Sequence, residues 1–112
     1  MIMTEDYSQL LATKGVSLGQ LGLEEVALRR EDALRAIRVL KALSLPILGG
    51  DVYFEQQGNV HPAYANWYVD RKDDESRKAF ADRSCVKAEN YVADFPKAMH
   101  KQTLFVLVLS SE

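Results

Sequence analysis

The chain has 112 residues, 47% hydrophobic and 27% charged, the length and make-up of one self-folding domain over residues 1–112, which excludes a disordered or fibrous chain. Its 14 Lys and Arg against 16 Asp and Glu leave a net charge of −2, so no global field draws in nucleic acid or anionic lipid. The single cysteine, Cys85, excludes an internal disulfide and a cysteine-built zinc site.

The N-terminal Met-Ile-Met-Thr-Glu-Asp is acidic where a secretory leader needs basic residues and then an apolar run, so the expected address is the cytoplasm. Residues 4–13 read as a short helix: Thr4 suits the cap, Glu5 and Asp6 the first turn, and Tyr7, Leu10 and Leu11 share a face. Gly15 to Gly22 reads as a connector that tucks Val16, Leu18 and Leu21 underneath. Glu25–Leu28 fits strand or helix by pattern, and its position before the next helix argues for strand. From Glu31 to Ser44 an amphipathic helix sets Ala33, Ile37, Leu40 and Leu43 or Ser44 against Arg35, Arg38 and Lys41, with Pro46 as the stop.

Ile47–Phe54 and Ala63–Val69 are rich in β-branched and aromatic residues, and the turn-like Gln56–Pro62 between them suggests a hairpin. Asp73–Asp94 is a second long helix, with Ala81, Cys85, Ala88 and Val92 on one stripe and Pro96 closing it. Thr103–Leu109 is continuously apolar, as a central strand buried on both faces is, and far shorter than the roughly 20 residues of a membrane-spanning helix. Without the first helix the order is β-α-β-β-α-β, that of a split βαβ sandwich. The expected fold is α+β: an antiparallel or mixed four-stranded sheet with two helices on one face, plus a short N-terminal helix.

Leu48-Gly49-Gly50-Asp51-Val52-Tyr53 is the least ordinary stretch, because paired glycines allow unusual angles or close approach and set a carboxylate beside a strand. One reading makes the glycines a bend or bulge with Asp51 satisfying backbone donors; the other turns Asp51 to a partner. In Gly-Gly-Asp-Val-Tyr at Gly49–Tyr53 the chain is similar to the immunity protein 40 family of bacterial polymorphic toxin systems. The lead-in Leu28-Arg29-Arg30-Glu31-Asp32-Ala33-Leu34 and the downstream Trp67-Tyr68-Val69-Asp70 extend that resemblance over residues 23–70. It implies a protein that neutralises a cognate toxin domain by covering its surface.

Occlusion calls for charges that speed capture and aromatic anchors that slow release, and Tyr53, Tyr64, Trp67 and Tyr68 cluster on or beside the expected hairpin with Asp51, Glu55 and Asp70. Alternation along the hairpin sets Asp51, Tyr53 and Glu55 opposite Val52 and Phe54, and Tyr68 and Asp70 opposite Trp67 and Val69. Asp51, Tyr53, Glu55, Tyr68 and Asp70 are therefore the candidate partner-binding residues, with Gly49, Gly50 and Trp67 as the structural frame. An alternative is a small ligand-binding domain or enzyme in which Asp51, His61 and Asp70 converge in a pocket.

Asp70–Lys78 has charges that cancel and reads as a solvated loop and helix start capped by Asp73 or Asp74. Arg35, Arg38 and Lys41, with Arg29 and Arg30 nearby, read as a solubilising face, since no aromatic stacking set accompanies them; nucleic acid is not an expected partner, nor is a membrane. His61 and His100 look like surface histidines and Cys85 a buried, inert thiol. No metal or cofactor is expected, and the pattern is neutral between monomer and dimer.

Overall fold

The computed structural model describes residues 3–110, with side chains described from residue 6 onward. Three helices, α1 (Met3–Lys14), α2 (Arg30–Ala42) and α3 (Arg77–Asp94), lie on one face of a five-stranded sheet. The strands are β1 (Val16–Ser17), β2 (Val26–Arg29), β3 (Ile47–Gln56), β4 (Asn59–Tyr68) and β5 (Gln102–Leu109), in the order β1-β2-β5-β3-β4 with every neighbouring pair antiparallel. Because β2 and β3 both pair antiparallel with β5, they run parallel, and α2 bridges them; α3 bridges β4 and β5 across β3 in the same way. Both crossovers are thus split βαβ units.

The expected count of four strands is corrected to five. The extra strand is a two-residue pairing, Val16 with Ala27 and Ser17 with Val26, inside the segment read as a connector. Two residues are too few to show a period of two. The capping role expected of Thr4 lies outside the described side chains.

β5 sits between β2 and β3 and is buried on both faces. Phe105 and Leu107 join Leu28, Ile37, Leu40 and Val52 beneath the helices, while Leu104 and Val106 face the other way. On that second face Leu18, fully buried, covers Ala27, Tyr53 and Val60 together with Val16, Leu21 and Leu23. The connector is therefore a strap across one end of the sheet's back, and the other end is open.

The helix ends explain where the boundaries fall. At the end of α2 the Ser44 N–H donates to Lys41 O at 2.9 Å and the Leu45 N–H to Leu40 O at 3.0 Å, the paired bonds of a Schellman motif, with Ser44 left-handed at φ 56°. α3 starts later than expected: Ser76 Oγ, not Asp73 or Asp74, accepts from the Ala79 N–H at 3.1 Å. The hairpin turn is only Gln57-Gly58, both at positive φ (52° and 85°), the geometry of a primed two-residue turn. β4 consequently runs through Pro62, which an edge strand tolerates because its missing N–H points outward.

Candidate functional site

Bare backbone at the paired glycines is a packing requirement. A Cβ on Gly50 would stand 2.3 Å from Trp67 Cη2 and 2.4 Å from Val106 O, and one on Gly49 would meet Trp67 O at 2.2 Å. The Trp67 ring thus lies in the space a side chain on Gly50 would need. It is 5% exposed and stacks on Tyr91 of α3, with centroids 4.5 Å apart, while its buried Nε1 has no hydrogen-bond partner among the described residues.

The register of β3 with β4 turns Asp51 and Tyr53 to the back of the sheet, opposite Val52, as alternation predicted. Tyr53, expected at the surface, is only 8% exposed, because the strap from Val16 to Leu23 folds over it. Burial first, then the carboxylates of Asp51 and Glu25, push its phenol above the ordinary value. Both acids therefore act on its hydroxyl electrostatically. Glu55 lies near the hairpin turn and pairs with Arg29 at 3.5 Å, some 13 Å along the strand from Asp51.

Asp51, cross-strand from Asn66, and Tyr68, cross-strand from Gly49, mark the open end of the back face, with Val108 pairing Gly49 on the other side. Tyr68 is 69% exposed and Asp70 is exposed as well. Their backbone is fastened to α3: Lys87 Nζ donates to Tyr68 O at 3.1 Å and Arg83 Nη2 to Asp70 O at 2.8 Å. Arg83 also grips Glu75 through two bonds of 2.7 Å, holding the Glu75 carboxyl down at about 2, with a backbone bond from Lys72 adding to it. Tyr68 and Asp70 line both of two shallow grooves, one of about 470 Å³ beside Leu48 and Phe80 and one of about 560 Å³ beside Lys87 and Tyr91. Val69 lines both as well, so the two grooves share the segment from Tyr68 to Asp70.

His61 does not join this surface. It packs on Phe54, 5.8 Å between ring centroids, and Phe54 in turn meets Phe95 beneath the helices, so His61 and Asp51 occupy opposite faces of the sheet. The convergence of Asp51, His61 and Asp70 is not formed, because the strand's two-residue period separates them. The basic residues disperse too. Arg30 turns inward to donate to Val92 O and to Phe95 O (2.8 Å) and lies over the Phe105 ring, Arg29 pairs with Glu55, and Arg38 approaches Glu89 at 3.9 Å. Cys85 is buried, and burial pushes its thiol up to about 11. Among the described residues no group of His, Cys, Asp or Glu is placed to hold a metal, and no helix is long and apolar enough to cross a membrane.

One exposed aromatic of the hairpin cluster, Tyr64, stands outside the five candidate partner-binding residues. β4 carries two residues, Ala63 and Tyr64, between the pairs Val52 with Ala65 and Tyr53 with Pro62, and Tyr64 is 91% exposed with φ 57°. The bulge depends on register across two strands, so no local motif announces it; Pro62, two residues before, is the only nearby irregularity in the sequence.

The family model for immunity protein 40 matches residues 17–109. No curated protein and no solved structure matches the chain.

Proposed function

Because the chain belongs to the immunity protein 40 family, we propose that it protects its host by binding a cognate toxin domain and covering its surface. The family match carries the reading; it extends from within the strap to the end of β5 and so takes in β2, β3, β4 and β5 entire. We place the contact at the open end of the sheet's back, with Asp51, Tyr68 and Asp70 touching the toxin. Tyr53 stiffens that surface from below, Glu55 with Arg29 stands at its far rim, and Gly49, Gly50 and Trp67 set its backbone. Asp51 and Glu25 make the face acidic, which suits a basic toxin surface and rapid capture.

The protein acts here by occlusion and not by chemistry, a reading supported by the separation of His61 from Asp51 and Asp70. Co-expression with the polypeptide encoded by the neighbouring upstream reading frame tests the proposal. Rescue of growth together with co-purification is the expected result; an innocuous neighbour that forms no complex would overturn it.

A further inference from the structure

The bulge in β4 places a residue where the fold itself has no use for it. Ala63 packs against the helix-side core, whereas Tyr64 belongs to neither apolar cluster and makes no ring contact, hydrogen bond or ion pair among the described residues. Its φ of 57° is in the left-handed region, where a bulky side chain is strained and Gly or Asn is at ease. A tyrosine is thus the wrong residue for this backbone, and its ring is 91% exposed. Backbone strain that the fold does not require tends to gather at binding sites.

We infer that Tyr64 is an anchor for the cognate toxin, its ring entering an apolar pocket with a basic rim; this rests on the immunity reading above. Three observations favour a side-chain pocket over a strand added to the sheet. The β4 edge is already blunted: the Val60 N–H donates to Gln20 Oε1 at 2.9 Å, Pro62 has no N–H to offer, and Tyr68 O is taken by Lys87. The bulge at Ala63–Tyr64 further interrupts any ladder a partner strand would need. A second exposed ring, Tyr68, follows four residues along the same edge, so two rigid aromatics are presented together. The basic rim follows from charge: the partly exposed carboxylate of Asp51 lies cross-strand from Asn66, two residues from Tyr64.

The test uses Tyr64→Asn and Tyr64→Phe in the full chain, reading thermal unfolding of the free protein and its affinity for the polypeptide encoded by the upstream reading frame. Tyr64→Asn is expected to unfold at the same or a higher temperature and to bind about thirtyfold more weakly, as loss of a principal anchor does. Tyr64→Phe, which keeps the ring, should stay close to wild type in both. A Tyr64→Asn protein that binds as wild type does, or that loses binding only in step with lost stability, overturns the anchor while leaving the immunity reading intact. A wild-type protein that neither rescues nor binds overturns both. Wild-type dimers that Tyr64→Asn converts to monomers would assign the ring to a second copy of this chain and so overturn the toxin pocket.

Discussion

A methyl group at position 50 would bring a carbon within 2.4 Å of both the Trp67 indole and the Val106 carbonyl oxygen. Neither neighbour can withdraw cheaply, since the indole is sandwiched against Tyr91 and the carbonyl belongs to the central strand. Gly50→Ala should therefore cost about 3 kcal/mol in urea unfolding, near the upper end of overpacking effects. Next door, Asp51 is partly exposed and its removal opens no cavity. Asp51→Ala should stay within about 0.5 kcal/mol of wild-type stability, yet slow association with the toxin, by a factor that shrinks as salt rises; equal binding with a lowered melting temperature would make Asp51 structural. The face of Asp51 was legible from alternation alone. The burial of Tyr53 was not, because its cover comes from a segment 30 residues earlier, whose position no pattern local to β3 encodes.

Among the elements, those legible in the sequence are long and periodic: α2, most of α3, and β5 with its unbroken apolar run. The ends were harder, because they depend on single hydrogen bonds. Ser44 closes α2 in a left-handed conformation usually given to glycine, so Ser44→Gly should stabilise the protein by about 1 kcal/mol, read as a higher denaturation midpoint. At the start of α3 the charged run conceals its organiser, Glu75, which Arg83 holds at a carboxyl value of about 2 against an ordinary 4.5. A depressed folded-state value means stability that is fully present above about 4.5 and lost as pH falls toward about 2. Glu75→Gln should accordingly be less stable than wild type at neutral pH, with the gap closing between pH 4.5 and pH 2 in thermal melts; a gap independent of pH would mean that the ion pair contributes nothing. The hairpin turn reads too long in the sequence, Gln56–Pro62 against the Gln57-Gly58 that forms it, for a related reason, since a glutamine at positive φ lacks the Asn-Gly signature of such turns.

At the scale of the molecule, one face of the sheet is closed by three helices and the other by a strap at one end only, and this asymmetry leaves the acidic, tyrosine-bearing end free for a partner. Closure on the helix side is complete enough to test chemically through Cys85. Its thiol is buried and donates to Leu45 O at 3.4 Å, tying α3 to the chain that leaves α2. With the thiol pushed up to about 11, almost no thiolate exists at pH 8, and what forms cannot meet a reagent while α2 and α3 stay packed. Alkylation of the native protein should thus be slow and should quicken with urea in step with global unfolding, as expected when exposure requires the whole core to open. Prompt, complete labelling without denaturant would show instead that α3 lifts from the sheet by itself. Such lifting would also release Tyr68 and Asp70, whose backbone carbonyls Lys87 and Arg83 of α3 hold in place. Slow labelling therefore bears on function as well as stability: it means that the surface we propose for the toxin is rigid before contact, and that binding need not spend free energy on ordering it.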